Sequence, residues 1–330
     1  MTRTLRADRR ALLAAAALAA FTAAAPAWAQ GKYPEKPVTF IVPFAAGSAT
    51  DQLARALGAS FTADTKQAVV VDNKAGAGGN IAAQATATAA PDGYLIHLSS
   101  VGPLSVAPHL VKDLPYDPAK DLTPLTMGVI FANVLVVNPN VPAKTLKEFV
   151  ELAKKNPGKY DYGSTGVGGA AHLAGELFKQ RAGVDLVHVP YKGGGPAMPD
   201  ILSGRIASYW ATPSTSLQHI QAGKLRTLGT TGLKRSPTLP DVPTVAEQGY
   251  PGFEAVNWYA FVGPGKMPVE LAERWNKELV KVLSEPAVQT EMLKHGLEPH
   301  PGTREELARY IKAESDKWGR VIREAKITAE

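Results

Sequence analysis

The chain contains no cysteine. That excludes disulfides, iron–sulfur clusters and thiolate metal sites, so stability has to come from a buried core. Hydrophobic residues make up 45% of the sequence, enough to supply one. Several signatures of enzyme chemistry are missing too. No G-x-x-x-x-G-K-[ST] run is present, which excludes a P-loop. No G-x-S-x-G, H-E-x-x-H or S-x-x-K pattern appears, so a hydrolase reading lacks a nucleophile beside a base. Beyond the N-terminus no stretch approaches the ~20 apolar residues of a membrane span. Excess charge is small: 36 Lys and Arg against 30 Asp and Glu give +6. The densest basic cluster, Lys224, Arg226, Lys234 and Arg235, reads as a solvated face or a modest docking patch. Nucleic acid is not an expected partner.

What the N-terminus does contain is an export signal. Arg3, Arg6, Arg9 and Arg10 form a basic region, and Ala11 to Ala25 an almost uninterrupted apolar run. Ala27-Trp28-Ala29 fits the small-x-small cleavage rule. Arg9-Arg10 also hints at the twin-arginine route, through a loose form of its motif. Residues 1–29 therefore read as a signal peptide, cleaved near Ala29, and the expected location is the periplasm. Its loss removes four Arg and one Asp, which lowers the formal charge from +6 to +3. The 301 residues left of 330 are enough for two domains of ordinary size.

Along the mature chain, strand, small-residue loop and helix recur. Val38–Val42 is a β-branched and aromatic run expected as a buried strand. It ends at Pro43-Phe44-Ala45-Ala46-Gly47-Ser48-Ala49-Thr50-Asp51, after which Leu53, Ala56 and Leu57 start a helical period. Thr50 or Asp51 is placed to cap that helix. Val69–Val71 and Tyr94–Leu98 read as strands on either side of a helix over Ile81–Ala89. Such repetition implies a parallel sheet covered by helices. A second unit starts at the strand Val134–Val137. A capping-box helix begins at Thr145, strands are expected at Leu186–Val189, Ile206–Trp210 and Leu225–Thr230, and helices follow Gly193-Gly194-Gly195 and Ser214. Residues 236–252, rich in proline and glycine, read as a connection to a strand at Trp258–Val262. Three closing helices start at Pro268, Pro286 and Thr303. Their apolar faces need a sheet to cover, so the C-terminus is expected to return to the first domain. The expected division is domain 1 from 30–131 plus 253–330, and domain 2 from 132–252.

The second loop of note is Tyr162-Gly163-Ser164-Thr165-Gly166-Val167-Gly168-Gly169-Ala170-Ala171-His172, which opens into a helix carrying Leu173, Leu177 and Phe178. Helix starts leave backbone N–H groups without internal partners and favour an anion by roughly 0.3–1 kcal/mol. Small residues allow a ligand to approach that backbone, and hydroxyls add donors. The loops at 43–51 and 163–172 fall in different domains at strand ends, where ligands of open α/β sheets bind. Two such pincers suit a carboxylate, while a glycine-rich turn with an N-cap remains the plainer reading. Gly166-Val167-Gly168-Gly169-Ala170-Ala171 also fits a degenerate dinucleotide fingerprint, but its one acidic candidate, Asp185, precedes a strand instead of ending one. His172 and Glu176 share a helix face at i and i+4, a spacing metal ligands can use, without a third convergent group. His188 reads as a core histidine, and Trp210 and Trp258 as core side chains with cleft lining as the alternative. No cofactor and no metal are expected.

With both loops placed, the sequence resembles the extracytoplasmic solute receptors of tripartite tricarboxylate transporters, the Bug family. The resemblance covers essentially the whole chain. It is carried by Tyr33-Pro34-Glu35-Lys36-Pro37, Val42 through Asp51, Asn73 through Asn80 and Pro91-Asp92-Gly93-Tyr94. It continues with Leu114-Pro115-Tyr116-Asp117, Tyr162 through Leu173, His188-Val189-Pro190-Tyr191-Lys192-Gly193, Ala222 through Arg226 and Pro240-Asp241-Val242-Pro243-Thr244. It implies an α/β fold of the two-lobed, type II periplasmic-binding kind, each lobe a parallel-rich sheet flanked by helices with the ligand cleft between. It also implies a receptor, not an enzyme, that passes a small organic carboxylate to membrane permease subunits and acts as a monomer. The ligand-binding loops carry over onto Phe44, Ala46, Gly47, Ser48 and Asp51, and onto Ser164, Thr165, Gly168, Gly169, Ala170 and His172. Two positions depart from the family pattern. Ser48 replaces a second glycine, and Ala211-Thr212 stands where an Asp-Asn pair usually follows the strand. Lack of an acid at Ala211 implies a di- or tricarboxylate or an aromatic acid without an amine, with Tyr209 and Trp210 nearby. A ligand sensor serving a signalling partner, or an exported metal enzyme using His172 and Glu176, are the alternatives.

Overall fold

The computed structural model describes residues 33–329, so the signal-peptide reading of residues 1–29 lies outside the described residues. The chain divides into Met1–Glu35 and a compact unit from Lys36 onward. In the first, the Tyr33–Pro34 peptide bond is cis. The second holds all the strands and helices discussed here.

Its strands form two sheets. β1 (Val38–Val42), β2 (Val69–Asn73), β3 (Leu95–Ser100), β4 (Leu122–Ala132), β10 (Val256–Pro264) and β11 (Glu298–Pro299) make the first, in the order β11-β4-β10-β3-β1-β2. β5 (Val134–Val137), β6 (Asp161–Ser164), β7 (Val187–Pro190), β8 (Ser208–Ala211) and β9 (Arg226–Thr230) make the second, ordered β7-β6-β8-β5-β9. Both sheets are mixed. β1 to β4 share one direction, as do β6 to β9, while β10 and β5 run against their neighbours. The reversal has a topological cause: β5 and β10 are the first strands laid down after the chain crosses from one sheet to the other. The crossings lie between Ala132 and Val134 and between Thr230 and Val256. They are tied together where Asn133 N–H donates to Thr231 Oγ1 (2.9 Å) and Thr231 N–H to Asn133 O (3.0 Å).

Helices α1 (Ala49–Thr65), α2 (Asn80–Ala87), α3 (Leu146–Lys155), α4 (Ala170–Ala182), α5 (Gly194–Ser203), α6 (Pro213–Gln221), α7 (Val269–Leu283), α8 (Pro286–Lys294) and α9 (Arg304–Ala325) cover the sheets. On one face of the first sheet Phe40 meets Phe61 of α1 and Trp275 of α7, whose rings stack at 5.0 Å. On the opposite face α9 docks. It opens with a capping box at Thr303 and Glu306, and buries Leu307, Trp318 and Ile322. Buried Glu314 accepts hydrogen bonds from the indole N–H groups of Trp258 (3.2 Å) and Trp318 (3.0 Å), which satisfies a charge that would otherwise be costly. The C-terminal helices thus pack on the first sheet. In the second sheet, residues alternate faces. Tyr162 and Trp210 point to α4, where Trp210 packs on Phe178 at 5.5 Å, while Tyr209 points to the cluster with Ala197, Met198 and Leu217 of α5 and α6.

Candidate functional site

The carboxyl ends of β1 and β6 lead into α1 and α4, and both junctions are built from short-range contacts. Ser48 caps α1 in extended conformation, with its hydroxyl accepting from Asp51 N–H at 3.5 Å. The cap falls two residues before the expected Thr50 because Ser48 is the last residue outside helical φ/ψ, and a cap must stand there. Asp51 turns back on the loop. One carboxylate oxygen accepts from Gly47 N–H (3.0 Å); the other accepts from Arg55 Nε (3.0 Å) and Asn73 Nδ2 (3.1 Å). Burial pushes this carboxyl up, but the hydrogen bonds from Arg55, Gly47 and Asn73 outweigh it and hold it below the usual carboxylate range. Asn73 also donates to Phe44 O at 3.0 Å. Asp51 and the Gly47 amide therefore brace the loop; with Asp51 N–H donated to Ser48, the first-turn amides left over in α1 are those of Ala49 and Thr50.

The α4 junction is braced by imidazoles. Gly168 N–H donates to His172 Nδ1 (3.1 Å), and Ser164 Oγ lies 2.6 Å from His188 Nε2 while accepting from Gly166 N–H at 3.1 Å. The two rings stack at 4.3 Å, and His188 stacks on Tyr162 at 4.9 Å. Burial pushes His172 down to about 4 and His188 to about 3, so both are neutral at neutral pH. Neutral rings suit a site for an anion's backbone contacts without adding a fixed charge. Thr165 is buried beside Gly169, which precedes Ala170, the first residue of α4. No side chain caps α4, so the first-turn N–H groups of Ala170, Ala171 and His172 have no intrahelical acceptor.

Each helix start sits against a loop of the other lobe. Ala45 N–H donates to Lys192 O at 2.9 Å across the cleft, and Gly195 closes against Ala46 O. On the other side, Gly78 (φ +63) meets the backbone of Val167 and Gly166 so closely that any side chain there would strike the Val167 carbonyl. The lobes are shut on one another through backbone. Gly76–Gly79 and Gly193–Gly195 thus border the two loops singled out from the sequence. Their signal is position: both are glycine runs at carboxyl ends of parallel strands, β2 and β7.

Other residues fall elsewhere. Ala211, the last residue of β8, is buried in the cluster packed against α5 and α6. Trp210 and Trp258 are fully buried core residues and do not line the cleft. His172 and Glu176 do not act as a pair: Glu176 Oε1 accepts from Tyr162 OH (2.6 Å) and Lys179 Nζ (3.0 Å). Among the described residues no three His, Cys, Asp or Glu side chains converge as a metal site. A cavity of about 440 Å³ lies between the lobes, lined by Gly47, Gln52 and Leu53 on one side and Gly195, Met198 and Ser214 on the other. None of the expected residues from 164–172 lines it.

The sequence profile of the tripartite tricarboxylate transporter family receptor matches residues 53–327 of this chain. Protein BugT of Bordetella pertussis (strain Tohama I) is 37% identical over 293 residues, 88% of this chain and 90% of that protein. The solved structure of the periplasmic binding protein BugD superposes with a TM-score of 0.86 at 36% identity, over 90% of this chain and 99% of BugD. That of R. palustris Rpa4515 with adipate gives 0.87 at 32% identity, over 90% and 99%.

Proposed function

This chain belongs to the tripartite tricarboxylate transporter receptor family, and on that premise we propose that it captures a small organic carboxylate in the periplasm and hands it to the membrane permease subunits of such a transporter. Receptors of this family bind substrates and are not enzymes. One observation carries the reading. Two helix starts, on α1 and α4, stand at strand ends of opposing lobes with first-turn amides uncapped or only partly capped, and the lobes meet there through backbone. No Arg or Lys stands in Pro43–Asp51 or Ser164–His172, so affinity comes from oriented amides, hydroxyls and water. The adipate bound by the R. palustris protein is an anion of the kind such a site takes. With alanine at position 211, no carboxylate stands there to pair with a ligand ammonium, which favours an acid without an amine. The protein is exported through cleavage near Ala29 and works as a monomer.

A thermal-shift screen over organic acids, followed by calorimetric titration, tests this. Dicarboxylates or aromatic acids should raise the melting temperature more than aspartate or glutamate do. An amino acid as the tightest ligand would refute the reading of Ala211, and turnover of any acid would refute the receptor itself.

A further inference from the structure

We propose that the end of the second sheet remote from the cleft is a docking surface for an anionic phospholipid membrane, and that its lysines hold the protein against that surface. The proposal goes beyond the receptor reading and does not depend on which acid is bound. The segment 132–252, which carries β5 to β9, holds 13 Lys and Arg against 8 Asp and Glu, whereas the rest of the chain from residue 30 onward holds 19 against 21. The excess gathers where β5 ends and β6 to β9 begin, opposite the strand ends at the cleft. Lys144 follows β5, Lys159 precedes β6, and Lys224 stands just before β9. Hydrogen bonds draw these loops together. The Arg226 guanidinium donates to Val141 O (3.3 Å) and Ala143 O (2.8 Å), and Gly158 N–H donates to Asp185 O (3.3 Å). α3 runs between two of the loops, burying Leu146, Phe149, Val150 and Ala153 and leaving Lys147, Lys154 and Lys155 exposed.

These six lysines are exposed, and among the described residues none has a carboxylate within ion-pair distance; the ion pairs of this segment are Lys179–Glu176, Arg205–Asp200 and Arg235–Glu247. Around the first sheet, by contrast, Lys36, Lys74, Lys120, Lys281 and Lys312 each pair with an aspartate. The acids nearby do not cancel the patch. Between 144 and 159 five lysines face two glutamates, and Glu148 is turned back to accept from Lys144 N–H at 2.6 Å. Composition then selects the partner. Protein interfaces are depleted in lysine and anchored by aromatic and arginine side chains. Here the apolar content is small: Val187 is half exposed, and Tyr160 is partly buried with Lys159 Nζ 5.9 Å from its ring centre. Ammonium groups on flexible stems respond to charge density and not to shape, which fits a layer of anionic headgroups.

Co-sedimentation of the mature chain with vesicles of phosphatidylcholine alone, and of phosphatidylcholine and phosphatidylglycerol in equal parts, tests this. Binding should require phosphatidylglycerol and fall at least about tenfold as salt rises from about 50 mM to about 300 mM. Reversing four charges together (Lys144→Glu, Lys147→Glu, Lys154→Glu and Lys159→Glu) should weaken it by at least about tenfold. Lys112→Glu, Lys266→Glu, Lys277→Glu and Lys326→Glu, also at exposed positions, give the same net charge and should leave binding within about threefold. Melting temperatures check that both variants fold; glutamine at the same sites gives a milder form of the comparison. Equal losses in the two variants would reduce the effect to net charge and overturn the inference. Equal binding to both kinds of vesicle, or binding to neither, would also overturn it. Sedimentation only with vesicles that carry the permease subunits would make the partner a protein, and the inference would fall. The thermal-shift screen reads capture of the acid separately, so none of these outcomes touches the receptor reading.

Discussion

Gly195 offers a way to perturb closure without touching either helix start. It stands in the first turn of α5 with helical backbone, so alanine is tolerated there and should favour the free helix by up to about 1 kcal/mol. A Cβ at this position would come within 3.1 Å of Ala46 O and 3.6 Å of the Gly47 carbonyl carbon, both on the opposite lobe. The clash therefore exists only when the lobes are shut. The Ala45–Ser48 loop cannot retreat freely, because Asp51 holds Gly47 and Asn73 holds Phe44. Overpacking of this kind costs about 1–3 kcal/mol. Binding coupled to closure should then weaken by about 5- to 150-fold in Gly195→Ala, and further in Gly195→Val. Calorimetric titration reads the affinity, and the melting temperature of the unliganded variant checks that the fold is intact. Small-angle scattering should show the liganded variant more extended than the liganded wild type. Wild-type affinity in both variants would refute the contact as part of the bound state.

Three further outcomes are expected. His97, His172 and His188 are held neutral by burial, at about 3, 4 and 3, against about 6.5 in the unfolded chain, so the unfolded state binds more protons between those limits. Stability to urea should therefore fall as pH drops from about 6.5 towards 4 and stay flat above, and His188→Gln should flatten the slope; an unchanged midpoint between pH 7.5 and 5 would contradict the burial. His97 has both ring nitrogens buried without partners in β3, so His97→Leu should raise stability by about 1–3 kcal/mol, seen as a higher melting temperature. Asp51→Ala should cost about 1–3 kcal/mol and weaken ligand binding, since the Gly47, Arg55 and Asn73 contacts are lost together. Because the Asp51 carboxyl is held low, its contribution is complete above about pH 4 and is lost as pH falls through its depressed value, so wild type and variant should converge in acid.

Much of the fold is legible in the sequence because its strands are short, apolar and bounded by glycine and proline. Val38–Val42 and Val134–Val137 match their expected limits, and the Thr303–Glu306 capping box forms as read. β4 is missed: Pro124, Thr126 and Gly128 interrupt its apolar pattern, although β10 pairs with it along most of its length. β6 is missed for a related reason. Asp161-Tyr162-Gly163-Ser164 has little β propensity and is held between β7 and β8 by tertiary pairing. At the site, loop chemistry is readable but the direction of each group is not. Asp51 reads as a ligand contact, and the bracing of its carboxylate is hidden in the sequence because Arg55 and Asn73 approach it only in the folded chain. Gly78 and Gly195 are ordinary turn glycines until the opposite lobe is placed against them.

If an anion sits between the starts of α1 and α4 with the lobes shut on it, a crystal structure with the tightest acid from the thermal-shift screen will show carboxylate oxygens within hydrogen-bonding reach, directly or through one water, of first-turn amides at both Ala49–Thr50 and Ala170–His172. A carboxylate bound to one lobe alone, or away from both helix starts, would contradict it.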